Sequence, residues 1–436
     1  MKKKIISLVL ALVLVAGIFS VAGRDTTVSA KYKDGSEITG KAMKISKKTN
    51  YTTDQMISGY NSYAVRALRE AIADEKKGKN VMISPASLMF ALDMCAMGAK
   101  GKTYSQIANL FAKGATKKDL LNFATDYRKA LESSGLVSIA NSLWINKDNM
   151  DLNNVKVSEK YLNLLRKYFT AATSSLSFDD EAKKMINDWI SKHTNGMIKE
   201  GVDDLSKDSL MMIINAIAFE GKWKEEYEDY QVNENGKFTN SEGKEETAKM
   251  LSSEEEWYLI SDTAKGFLKY YEGDKYAFMA MLPDDASISI NDYVSSLSDD
   301  AFEKFYESRK NTAVETKTPA FSFDYNIEMN DMLKRMGMTR AFKGNANFHK
   351  MLDAKTITPD TALYIGSVIQ KTHIELDEKG TKAAAVTIID MKCTTTAYEP
   401  ERVKPQVILD RPFVFAIMDT ETGTPVFAGI LNTVNP

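Results

Sequence analysis

Histidine is scarce in this chain: His193, His349 and His373 are the whole supply. None has a second histidine at metal-ligand spacing, so a zinc or two-histidine iron site has no support and no metal is expected. A GxSxG elbow, a phosphate-cradling GxxxxGK[ST] and a GxGxxG after a strand are all missing. A triad through His193 would need a distant Ser and Asp, and no motif anchors one. Asp179 with Asp180 and Asp299 with Asp300 lie in polar turns, where solvated loop charges are the plainer reading than a glycosidase pair. Cys95 sits in an apolar helical run as a small buried hydrophobe, and Cys393 in a loop; both are expected as free thiols. These residue types argue against an enzyme and call for no cofactor. The unusual stretch is "EKGTKAAAVTIIDMKCTTTAYEPER", Glu378 to Arg402. Ala383 to Ile389 is uncharged and has the composition of a strand interior, yet Lys, Cys and Thr follow without packing period, as in an exposed loop.

The elements around these residues read as α+β. Met56 to Ala73 repeats apolar residues at helical spacing, with Asp54 as a plausible cap. Asn80 to Ser87 reads as a short buried strand turning into a helix at Pro85, and Leu88 to Met97 is apolar on nearly every face, so it must be central. Tyr161 to Phe169 is amphipathic. Leu210 to Phe219 is an apolar run broken only by Asn215 and reads as a strand buried on both faces. Phe278 to Leu282 and Phe413 to Met418 are further short apolar runs. Helices dominate the first half and strands the second. With 436 residues, 44% hydrophobic, nine thinly spread prolines and no repeat, one large domain over residues 51–436 is the fair reading. Fifty-seven Lys and Arg against 59 Asp and Glu, net charge -2, argue against a nucleic-acid binder.

The start differs from the rest. Lys2, Lys3 and Lys4 precede an apolar run from Ile5 to Ala22, and Val28-Ser29-Ala30 offers a cleavage site, so residues 1–30 read as a secretory signal and the chain as exported. The run is near membrane-spanning length, and an uncleaved anchor is the other reading. The compact lysine-rich start looks bacterial. Residues 31–50 are polar, lysine-dotted and expected as a flexible leader.

Five segments in order resemble the serpin family, over nearly everything from Tyr51 to Pro436. They are "NVMISPASLMFALDMCAMGAKGKT" from Asn80, "INDWISKHTNGMI" from Ile186, "INAIAFEGKW" from Ile214, "HIELDEKGTKAAAVT" from His373 and "RPFVFAIMDTETGTPVFAGIL" from Arg411. The resemblance implies one domain of three β-sheets with eight or nine helices and an exposed reactive-centre loop at about 378–411. It implies a secreted monomeric suicide inhibitor that forms a covalent acyl-enzyme complex with a serine protease and inserts its cleaved loop into the central sheet. After signal cleavage neither membrane nor nucleic acid is an expected partner. Loop insertion is a general case of strand addition and strain release. If Thr381 to Ile389 becomes a central strand, Thr381, Ala383, Ala385, Thr387 and Ile389 share one face, the first four small and uncharged. Lys382, Ala384, Val386, Ile388 and Asp390 share the other. That split suits insertion.

By the same resemblance the hinge comprises Glu378, Gly380, Thr381, Ala383, Ala384, Ala385 and Thr387. Ser84, Ser87 and Asn215 match a polar cluster beneath the sheet, in which Gln370 stands where the family commonly has a histidine and implies a retuned cluster, and Trp223 matches the aromatic at its top; a helix cap and satisfied buried polar groups are the bland reading of the cluster. Glu378 commonly pairs with a basic residue after a proline, but Ala320 follows Pro319, which puts that ion pair in doubt. Seventeen residues from Glu378 place the cleaved bond at Thr394-Thr395, whereas counting back from Pro412 lands near Glu401. A small residue at Thr394 favours an elastase-like target; Lys392 or Arg402 would suit a trypsin-like one, and cysteine proteases stay open. A non-inhibitory binding or carrier protein on the same fold is the alternative.

Overall fold

The structure is a computed structural model. It describes residues 41–73, 75–359, 361–381 and 404–436, and the backbone of 6–18. A six-stranded sheet and a nine-stranded sheet enclose the core. In spatial order the first comprises β12 (Phe321–Glu328), β13 (Thr361–Leu376), β1 (Ile6–Ile18), β5 (Ser209–Phe219), β3 (Val137–Asn146) and β4 (Ala172–Leu176). The second runs β15 (Gln406–Ile408), β11 (Lys310–Pro319), β8 (Glu245–Ile260), β9 (Ala264–Tyr270), β10 (Tyr276–Pro283), β16 (Phe413–Asp419), β17 (Thr424–Leu431) and β2 (Val81–Ile83), with β7 (Val232–Thr239) paired to β8. A two-residue ribbon joins β6 (Gly221–Lys222) to β14 (Gly380–Thr381). Ten α-helices are present among the described residues, against the eight or nine expected; two of them, Lys147–Leu152 and Asn330–Arg335, are only six residues long. The α+β class and the serpin-type architecture hold.

Sequence periodicity explains the central pieces. Helix α1 (Thr53–Ala73) buries Met56, Tyr60, Tyr63, Ala64, Ala67, Leu68 and Ala71 on one side. Its cap is Thr52 instead of Asp54: Gln55 N–H donates to Thr52 Oγ1 at 3.3 Å and Thr52 N–H to Gln55 Oε1 at 3.0 Å. That reciprocal pair satisfies two donors at once, which a lone Asp two positions late cannot do. Helix α2 (Pro85–Gly98) is buried at every residue and touches β5 of one sheet and β17 of the other. Ser84 caps it by accepting from Ser87 N–H at 3.2 Å.

β5 is buried throughout. Met212, Ile214 and Ala216 join Trp144, Ile186, Trp189 and Ile190 in a cluster under α7 (Asp180–His193), while Met211, Ile213, Ile217 and Phe219 join the main core. The strand's two-residue period therefore feeds two different cores, which is why its sequence shows no polar alternation. Asp179 is the cap of α7, accepting from Ala182 N–H at 2.9 Å.

β1 is a finding that the leader reading did not anticipate. The apolar run expected as a signal segment lies in part as a strand between β13 and β5, parallel to both. Its thirteen residues, ISLVLALVLVAGI, are uncharged, and a near-continuous apolar run is what a parallel strand in mid-sheet has. Residues 41–50, the end of the expected leader, form no helix or strand but are held to the body: Met43 N–H donates to Lys160 O at 2.8 Å and Thr116 Oγ1 to Lys48 O at 2.8 Å. Among the described residues no helix is long and apolar enough to cross a membrane.

Candidate functional site

The segment expected as the reactive-loop hinge follows directly on the end of β13, at the same end of the six-stranded sheet as the end of β5. After Leu376 the chain turns; Asp377 and Gly380 form an antiparallel bridge. Gly380 then pairs with Lys222 and Thr381 with Gly221. Gly380 has φ +140°, and a Cβ there would overlap the Gly221 carbonyl and Lys222, so both backbone and space require glycine. Thr381 is fully buried, and its Oγ1 lies 2.8 Å from Tyr271 Oη. A small hydroxyl with a partner is thus seated at the entrance before any cleavage.

Trp223 holds the turn from the side of β6. Its Nε1–H donates to Asp377 O at 2.9 Å and its backbone N–H to Lys379 O at 3.1 Å. Its ring stacks on Tyr271, centroids 4.5 Å apart and planes 18° from parallel. Tyr227 N–H donates to Glu378 O at 2.9 Å. Beneath these rings Lys269 Nζ sits 4.3 Å from the Tyr227 centroid and 2.9 Å from Glu255 Oε1. Burial holds the Glu255 carboxyl above its usual range although Lys269 pulls it down. Nothing local in the sequence marks this Lys269–Glu255 pair, because charges in an alternating strand give no sign of being inside.

The doubt about Glu378 is corrected. Its carboxylate has a partner, Lys249 Nζ at 2.9 Å, which also lies 3.4 Å from Glu234. Residue 320 is alanine, but Ala320 N–H donates to Lys249 O at 2.8 Å, so the neighbouring strand β8 brings a cation to the same place. The register of β8 on β11, Met250 opposite Pro319, decides this and lies beyond local sequence.

Deeper in the sheet, Ser84, Ser87 and Gln370 come together. Ser84 N–H donates to Gln370 Oε1 at 3.0 Å, Gln370 Nε2 donates to Ser84 O at 3.1 Å, and Ser84 Oγ donates to Val426 O at 2.9 Å. Thr372, which the sequence did not single out, adds a bond from Oγ1 to Met82 O at 2.9 Å. Asn215 stands apart from these: its Nδ2 donates to Asn141 Oδ1 at 2.8 Å, and Asn141 Nδ2 donates to Phe169 O at 2.9 Å. Asn215 and Gln370 nevertheless occupy the same level of the sheet, both paired with Leu14 of β1 from opposite sides. Ser87 Oγ and Asn215 Oδ1 have no hydrogen-bond partner among the described residues.

Ala383, Ala384, Ala385, Thr387, Thr394 and Thr395 lie outside the described residues, as do Lys392, Cys393, Glu401 and Arg402. Cys95 is free and buried, and burial pushes its thiol up, away from reactivity. The histidines stand on separate elements: His193 Nδ1 is 2.7 Å from Trp189 O, His349 Nε2 is 3.1 Å from Thr361 O, and His373 Nδ1 is 2.6 Å from Asp324. Asp299 faces Arg69 at 3.0 Å and Asp300 faces Lys304 at 2.8 Å, as surface ion pairs. Among the described residues no group of three His, Cys, Asp or Glu could hold a metal.

The family model for serpins, serine protease inhibitors, matches residues 58–436. Neuroserpin of Gallus gallus is 30% identical over 406 residues, covering 88% of this chain and 92% of that protein. The crystal structure of the thermophilic serpin tengpin in its native state is 33% identical, covers 90% of this chain and 97% of that one, and superposes with a TM-score of 0.79. Human thyroxine-binding globulin complexed with thyroxine covers 88% of this chain and all of its own at TM-score 0.73; at 21% identity that likeness concerns the fold alone. With the ordered motifs, the two large sheets and the seated hinge, these matches establish that the chain belongs to the serpin family, whose members generally inhibit serine proteases.

Proposed function

We propose that this serpin is an exported suicide inhibitor of an elastase-like serine protease, trapping the acyl-enzyme by inserting its cleaved loop between β5 and β13. The observation that carries the reading is the position of Gly380 and Thr381. They already pair antiparallel with Lys222 and Gly221, in line with the end of β5. Continuing that register, loop position 383 falls opposite Phe219 and position 393 opposite Ser209, where β5 begins. Insertion of residues 381–393 would thus fill β5 and leave Thr394 just past its far end, which supports cleavage at Thr394-Thr395 over a bond near Glu401. Twelve steps at ~3.3 Å would carry an attached protease roughly 40 Å. Gln370 of β13 and Asn215 of β5 flank one level of the row that the new strand would enter, and the Ser84–Gln370 and Asn215–Asn141 bonds would adjust as it passes.

The test is a denaturing gel after mixing the chain that begins at Lys31 with pancreatic elastase and with trypsin. A stable higher-mass adduct with elastase is expected, and its mass spectrum should place the ester at Thr394. Nicking without adduct by every protease would assign the chain to the non-inhibitory binding proteins of this fold.

A further inference from the structure

The central row of the six-stranded sheet is filled by β1. β1 runs between β5 and β13, parallel to both. From Ala11 to Ile18 both pairings are regular: Ala11 stands between Met212 and Ser367, and Ile18 between Phe219 and Ile374. Immediately past Phe219 the row next to this chain segment continues with Gly221 and Lys222, and there the occupants are Thr381 and Gly380. The N-terminal segment and the hinge therefore follow one another along a single strand position.

The registers show how close the overlap is. With Thr381 opposite Gly221, an antiparallel loop would put position 383 opposite Phe219, 385 opposite Ile217 and 387 opposite Asn215. Those three levels are held by Ile18, Ala16 and Leu14. On the other side the Asp377–Gly380 bridge extends to 383 opposite Ile374 and 387 opposite Gln370, again the partners of Ile18 and Leu14. The two segments run in opposite directions and use the same edge N–H and C=O groups of β5 and β13, which can each be paired once. Occupancy by one excludes the other.

We infer that Ile6–Ile18 is a built-in competitor of the reactive loop. A chain that keeps this segment folds with its central sheet closed and is cleaved by a protease as an ordinary substrate; a chain that has lost it has the row open and traps. The inference rests on the inhibitory reading above, and it gives removal of the N-terminal segment a second consequence, activation. The segment suits the row because all thirteen residues are uncharged and β5 beside it is buried at every position.

The experiment compares the full chain, purified with residues 1–30 attached and verified by mass, with the chain beginning at Lys31, against elastase. The Lys31 chain is expected to trap near one molecule per protease, and the full chain to need at least tenfold more molecules per protease trapped, the rest being cleaved. Leu14→Asp in the full chain, which places a charge in the row, should restore trapping. Equal trapping by both chains overturns the inference. A second measurement keeps it separate from the inhibitory reading: a peptide of residues 1–18 is added to the Lys31 chain and amide exchange is followed. At least tenfold slowing over residues 209–219 and 361–376 supports occupancy even if neither chain traps, in which case only the inhibitory reading fails. Unchanged exchange at those strands overturns the competitor.

Discussion

Lys249 of β8 and Glu378 at the root of the reactive loop form an ion pair at 2.9 Å, with 31% and 28% of their side chains exposed. Burial raises the Glu378 carboxyl, but the Lys249 hydrogen bond and charge outweigh it, so the group rests below its usual range. Lys249 is raised, first by its bond to Glu378. A carboxylate depressed in the folded state contributes stability above its unfolded pKa and loses it as pH falls through the folded value. The pair should therefore hold the hinge at neutral pH and release it in acid, below about pH 4.

A double-mutant cycle with Lys249→Ala and Glu378→Ala should give a coupling energy of about 1 kcal/mol at pH 7, shrinking with salt and as pH falls below the usual carboxylate range. Each single variant should also lose trapping protein faster on storage, because the hinge is untied. Chemical denaturation and an elastase titration measure the two effects. A coupling of zero at neutral pH would mean that the pair does not secure the hinge.

Thr381→Arg should convert the inhibitor into a substrate. Thr381 is fully buried against Tyr271, and a guanidinium has no acceptor of opposite charge described there. Burying it unpaired costs several kcal/mol, so insertion slows while the scissile bond stays accessible. The number of inhibitor molecules consumed per protease should rise at least tenfold, with the cleavage site unchanged. Thr381→Ser, which keeps the hydroxyl, should stay within about twofold of the parent. Full trapping by the arginine variant would contradict inward seating at this position.

Loop cleavage in the chain beginning at Lys31 should raise its melting temperature. A new central strand of thirteen residues adds about a dozen ladder bonds at ~1 kcal/mol net each. For a domain of this size that amounts to roughly 15 °C. Calorimetry of intact and nicked protein checks it, and a nicked form melting no higher than the intact one would exclude a spring-loaded loop.

Asp93 offers a separate test of the core. It lies fully buried in α2, and neither carboxylate oxygen has a hydrogen-bond partner among the described residues. Burial pushes its pKa well above the usual carboxyl range. A group raised in the folded state favours folding below its unfolded pKa and loses that contribution as pH rises toward the folded value. Asp93→Asn should accordingly be more stable than the parent by about 2–4 kcal/mol at pH 7, with the difference closing near pH 4. Urea denaturation across that range reads the trend; a gap that does not change with pH would mean that the carboxylate is ionised and paired.

Much of this molecule is local. The 3.6-residue repeat of α1, the Ser84 cap with Pro85 behind it, the all-round apolar α2 and the doubly buried β5 each follow from residues within one or two turns, because burial must match the element's own period. Gly380 is also readable, since a positive φ next to another backbone leaves one residue type. What depends on strands far apart in sequence is not. Gln370 bonds across to Ser84, Asn215 turns to Asn141 instead, and Lys249 replaces the missing cation beside Ala320. The same holds for Ile6–Ile18. Thirteen apolar residues fit a membrane, a signal or a sheet equally well by composition; that they can also lie between β5 and β13, paired with β13 along their length and with β5 from Val9 onward, depends on strands some two hundred and more residues away and is not legible locally.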